Sequence, residues 1–173
     1  AVVALRGRDR RDDALVFRGI CDASGAAPLG NNAMVVADDE TNLLRLYRLD
    51  QPGMPVAEFP MDAFLGVDGS KNPEADIEGA TRVGDTLYWI TSHGRSKNGK
   101  WRASRYRFFA TTAPDGADGA LEPVGKPCRS LLNPLLDLEG ADLVRAVGRV
   151  KDDEGEALAH HAGRRGRGHL DEH

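Results

Sequence analysis

Cysteine is nearly absent. The two cysteines, Cys21 and Cys128, lie far apart and make no Cys-x-x-Cys pair, which excludes a thiolate metal centre of the usual spacing. One bridge between them or two free buried thiols are the remaining options, free thiols being the commoner. No apolar run approaches the roughly 20 residues that a membrane-spanning helix needs. A basic segment, apolar core and cleavage site of the secretory kind are also missing, although the chain begins at Ala1 rather than Met and could be processed or cut from something longer. A net charge of −4 is too small to imply a nucleic-acid or polyphosphate partner. The expectation is a soluble chain with no membrane and no nucleic-acid partner, its compartment unknown. Sustained helical periodicity is absent before residue 130, and no Gly-x-Ser-x-Gly nucleophile elbow occurs.

What is present reads as β-structure in a chain of 173 residues, long enough to bury a real core. Residues 1–14 form a charged lead-in behind a short strand-like start. Leu15 to Ile20 is a short strand. Gly30-Asn31-Asn32 separates two apolar runs, and Gly and Asn tolerate the positive φ of a hairpin turn. Leu43 to Leu49 and Val56 to Met61 are further strands, and Gly66 to Pro73 is a polar loop. Asp76 to Val83 enters the Gly84-Asp85 turn. Thr86 to Thr91 follows, rich in β-branched and aromatic residues. Trp101 to Thr111 reads as one long strand and Leu121 to Val124 as a short one.

The second group of strands repeats the first. With Asp22 placed under Asp76, Gly25 falls under Gly79, Gly30 under Gly84, and Met34-Val35-Val36 under Tyr88-Trp89-Ile90, without a gap. Asp137-Leu138-Glu139-Gly140-Ala141 matches Asp76-Ile77-Glu78-Gly79-Ala80 with one conservative change and marks a third start. Four short strands per repeat is the signature of a β-propeller blade. The predicted fold class is therefore all-β: a partial propeller with two four-stranded antiparallel blades over residues 15–141, the start of a third, and an irregular or disordered tail over 142–173. A β-sandwich with recurring hairpins is the alternative.

Asp22-Ala23-Ser24-Gly25, Val36 to Tyr47, Glu74 to Ala80, Tyr88 to Arg95 and Lys97 to Lys100 together resemble a bacterial family known as domain of unknown function 3616. The resemblance spans about Phe17 to Ala141. It implies a β-propeller similar to the esterase-like phytase and lactonase-type propellers, in a family without an agreed activity whose members are about twice this long. The change of character after Gly140 is that of a truncated or frame-shifted reading. Open sheet edges would then favour self-association.

The candidate chemistry lies in the recurring acids. Asp22, Asp76, Glu78, Asp137 and Glu139 would converge near one channel mouth if each opens an innermost strand, offering oxygens to a hard cation such as Ca²⁺. In an extended Asp76–Ala80, Asp76 and Glu78 point to the same side. Clustered carboxylates also raise one another's pKa, so Asp76 and Glu78, with His93, are the candidate catalytic groups. Turn capping and blade-to-blade hydrogen bonding are the structural alternatives. Asp38, Glu40 and Asn42 alternate as in a fragment of a Ca²⁺ loop, with an Asx-type turn as the simpler reading. Ser92 and His93 are strand neighbours on opposite faces and cannot pair with each other. Arg95, Lys97 and Lys100 begin a basic hairpin that could hold an anion. The functional expectation is a Ca²⁺-assisted phosphoesterase or esterase acting on a small ester; the alternatives are a non-catalytic propeller scaffold or a truncated product without function.

Overall fold

The computed structural model describes residues 3–5 and 14–131, within a compact unit that ends at Leu131. The third repeat start at Asp137–Ala141 and the tail from residue 142 lie outside the described residues. Alternation of apolar and polar residues builds a four-stranded antiparallel sheet from β3 (Ala23–Leu29), β4 (Ala33–Asp38), β5 (Leu43–Arg48) and β6 (Ala57–Pro60), paired in chain order. A second antiparallel sheet repeats the meander with β7 (Ile77–Val83), β8 (Thr86–Thr91), β9 (Phe108–Thr112) and β10 (Pro123–Cys128). The lead-in contributes β1 (Val3–Leu5), which pairs with β2 (Leu15–Phe17). Between the sheets runs one short helix, α1 (Asp62–Leu65), closed by Gly66 in the left-handed region at φ 64°. Among the described residues no helix is long and apolar enough to cross a membrane.

Three sequence expectations change. The long strand over Trp101 to Thr111 is divided: Ala103–Arg105 forms a 3₁₀ turn and only Phe108–Thr112 is strand. There Arg107 turns inward and spends its donors on carbonyls rather than on a ladder edge. The fourth strand of the second sheet runs from Pro123 to Cys128 rather than from Leu121 to Val124. Cys21 and Cys128 are both free, as the spacing suggested, but Cys21 is exposed and Cys128 half-buried.

The repeat is also not gapless. β3 and β7 keep the 54-residue offset, and each carries a bulge at the equivalent place, between Ala23 and Gly25 and between Ile77 and Gly79. The first hairpin loop has one residue more than the second, so β4 and β8 match one position earlier. Ladder pairing equates Met34 and Val36, not Ala33 and Val35, with Leu87 and Trp89.

In this register the faces that meet are not equivalent. The main core takes Ala33, Val35, Ala37, Leu44 and Leu46 from the first sheet and Leu87, Trp89 and Phe109 from the second. These are opposite faces of equivalent strands, so the sheets stack head to tail. Met34, Val36 and Tyr47, on the other face of the first sheet, are covered by Phe17 and Ile20. Trp89 is fully buried, lies 6.2 Å from the Phe109 ring, and donates its indole N–H to Thr111 Oγ1 at 3.2 Å.

The first strands of the two sheets meet almost backbone to backbone. A Cβ built on Gly25 would lie 3.1 Å from Gly79 backbone atoms. Ser24, the bulged residue of β3, donates its hydroxyl to the Ile77 carbonyl. Asn42 ties down the crossover, donating to Asp62 Oδ1 at 2.8 Å and the Pro73 carbonyl at 2.9 Å and accepting from the Ala75 amide. We expect Gly25→Ala to destabilise by about 1–3 kcal/mol, since neither backbone can yield. Gly79→Ala meets only the Ile90 Cγ2 methyl, at 3.3 Å, and should cost less. Urea midpoints of the two variants would check the order.

Candidate metal centre

The contact between β3 and β7 sets the acidic ends of the two sheets beside each other. Asp76 precedes β7 with its backbone in the left-handed region at φ 62°, and its carbonyl accepts the Ser92 amide at 2.8 Å. Glu78 is the extra residue of the β7 bulge. The two carboxylates therefore converge through a positive φ and a bulge, not through the extended run that their spacing suggested. Asp39 joins them from the turn after β4, where its amide donates to the Asp22 carbonyl at 3.0 Å. One carboxylate oxygen from each of Asp39, Asp76 and Glu78 lies within 4.8 Å of the others. That spacing is about twice a Ca²⁺–oxygen distance of roughly 2.4 Å.

The electrostatics match a cation site. Burial, then the charges of Asp22, Asp76 and Asp38, push the Asp39 carboxyl above its ordinary range. Burial, then Asp76 and Asp39, push Glu78 upward, with Arg105 opposing. Asp39 Oδ1 is buried and accepts no hydrogen bond among the described residues. A buried oxygen of this kind carries a desolvation penalty that a bound cation would remove. Among the described residues Asp76 alone of the three makes an ion pair, with Arg105 at 2.9 Å, and the same guanidinium also pairs with Glu74.

Of the residues expected from sequence, Asp76 and Glu78 are brought together. Asp22 stays exposed and acts on the set through its charge and carbonyl. Asp137 and Glu139 lie outside the described residues. Asp38 is occupied: it accepts from the Glu40 and Thr41 amides and pairs with buried Arg45 at 3.0 Å. Asn42 belongs to the crossover tether, which confirms the turn reading of this segment. His93 sits at φ 52°, its Nδ1 2.9 Å from the Thr91 carbonyl and its ring against Tyr106. Asp39 is the member of this carboxylate set that sequence reasoning missed. Its signal was the acidic Asp38-Asp39-Glu40 run beside the hairpin that repeats.

A cleft of about 880 Å³ opens beside the set, lined by Asp39, Glu40, Glu74 and Asp76 and also by Lys71, Arg95, Lys97, Arg102 and Arg105. Arg95 and Lys97 of the basic loop line the cleft; Lys100 and His93 are not among its lining residues. No family model, no curated protein and no solved structure matches the chain.

Raised carboxyl pKa values in the folded state favour folding below the ordinary carboxylate range and lose that stability as pH rises through the raised values. An Asp39→Asn, Glu78→Gln double variant should therefore melt a few degrees above the parent at pH 7 in chelator, and the gap should close by about pH 4. Melts across that range, followed by circular dichroism, would check it.

Proposed function

We propose that the two sheets are consecutive blades of a propeller-type scaffold that binds a divalent cation of the Ca²⁺ class at Asp39, Asp76 and Glu78, and that the neighbouring cleft hydrolyses a small phosphate or carboxylate ester. The observation that carries this reading is the buried Oδ1 of Asp39, without a hydrogen-bond partner among the described residues, on a carboxylate that gathers with two others. Three oxygen donors and no nitrogen or sulfur suit a hard cation, and three protein ligands leave coordination positions for water and substrate. When bound, the cation would polarise the ester and lower the pKa of a bound water. Arg95, Lys97 and Arg102 would orient the substrate's anionic group across the cleft. Glu40, which lines the cleft and is not one of the three ligands, would hold the proton that the water gives up.

The head-to-tail stacking supports the blade reading. A sandwich related by a two-fold axis would bring equivalent faces together, whereas here opposite faces meet, as they must in a ring of repeats. The far face of the second sheet carries Val83, Ile90 and Val124, all partly exposed.

A second reading, a binding scaffold without turnover, is favoured by one observation. Arg105 holds both Asp76 and Glu74, and no histidine is among the described residues that line the cleft. Calorimetry with Ca²⁺ and assays of 4-nitrophenyl phosphate and 4-nitrophenyl acetate separate the readings. Saturable Ca²⁺ binding with turnover, both lost in Asp39→Asn and reduced at least tenfold in Glu78→Gln, is the expected result. Ca²⁺ binding with no turnover leaves the scaffold, and absence of Ca²⁺ binding overturns the site.

A further inference from the structure

Arg107 is 5 % exposed, and its guanidinium makes no ion pair among the described residues. It donates instead to three carbonyls, those of Leu65 at 2.9 Å, Ala103 at 2.6 Å and Tyr106 at 2.9 Å. Carbonyl dipoles satisfy hydrogen bonds but bring no counter-charge, and a buried cation without one is costly. Burial and the nearby Arg129 both push its pKa down. Arg107 lines a pocket of about 210 Å³ in which Lys71 and Arg102 are the other charged groups, and no carboxylate is among the lining residues.

Trp101 forms the rim of this pocket. It is 58 % exposed, yet held in place, because one face lies on Tyr106 with ring centroids 3.9 Å apart and planes 21° from parallel. A rigid indole with its outer face in water is a surface for another flat ring. Lysine and arginine only donate, so an acceptor-rich ligand matches them, whereas a sugar's hydroxyl groups would also need acceptors. Three cations without an acid favour a dianion over a monocarboxylate. The pocket shares Lys71, Asn72 and Arg102 with the larger cleft but none of its acids.

We propose that this pocket is a phosphate-monoester site, with the phosphoryl group against Arg107, Lys71 and Arg102 and a planar organic group resting on Trp101. The site stands apart from the cation reading, and its test is run in chelator so that the two can fail separately. The probe is phenylphosphonate, whose P–C bond resists hydrolysis, compared with inorganic phosphate and benzoate by calorimetry on the whole chain. Tryptophan fluorescence gives a second readout, since Trp89 is fully buried and Trp101 is the exposed indole. Phenylphosphonate should bind saturably, quench the fluorescence, and exceed both inorganic phosphate and benzoate by about tenfold. Trp101→Ala should erase the advantage over inorganic phosphate. Arg107 also anchors three carbonyls, so the charge is tested at the rim: Lys71→Met and Arg102→Met should each weaken both phosphorus ligands about tenfold while the far-UV melt stays cooperative. No saturable binding, binding unchanged in both rim variants, or benzoate binding as tightly as phenylphosphonate would overturn the proposal.

Discussion

The approach of Gly25 to Gly79 is the constraint from which the rest of the arrangement follows. Two strands can come this close only where neither carries a side chain on the facing side, and here a Cβ on Gly25 would already press on the other backbone. The Ser24 hydroxyl, which reaches the Ile77 carbonyl, locks the same contact with a hydrogen bond. Both Ser24 and Glu78 are the extra residues of equivalent bulges. In the first sheet that position supplies the lock; in the second it supplies a carboxylate. One backbone irregularity, repeated, thus serves packing in one copy and charge in the other.

The charges gathered there are unevenly balanced. Among the described residues the one guanidinium paired within the set of Asp39, Asp76 and Glu78 is that of Arg105, which is divided between Asp76 and Glu74. A short distance away the balance reverses, with Arg107, Lys71 and Arg102 around a pocket without acids. Lys71, Asn72 and Arg102 border both spaces. Juxtaposed acid-rich and base-rich spaces would suit a ligand that meets a cation at one end and presents its own negative charge at the other. Both raised carboxyls and the lowered guanidinium have burial as their first cause, so the protein carries these groups at a cost in stability.

Burial elsewhere is conventional. Val35, Leu44 and Leu46 pack against Leu87, Trp89 and Phe109, and the apolar area removed from water dominates the stability of the pair of sheets. The crossover adds Met61, Leu65, Val67 and Ala75 to this core and is pinned by Asn42, whose amide bonds three backbone and side-chain partners. Such a tether fixes where residues 73–76 emerge, and hence where Asp76 points.

Much of this was legible in the sequence. The alternation around Gly30-Asn31-Asn32 and Gly84-Asp85 determined the hairpins, and the 54-residue echo from Ala23–Leu29 to Ile77–Val83 determined that there are two similar meanders. Local patterning suffices there, because turn chemistry and a period of two act over a few residues. Which faces meet was decided only in three dimensions, where β3 and β7, still at their 54-residue offset, present non-equivalent faces to the shared core. Asp39 entered the acidic set, and Asp22 and His93 did not, through a bulge, two positive-φ residues and contact between sheets. Arg107 left its place in a basic strand for a buried pocket in the same way. Those outcomes depend on residues distant in the chain competing for the same space and charge, which no local pattern encodes.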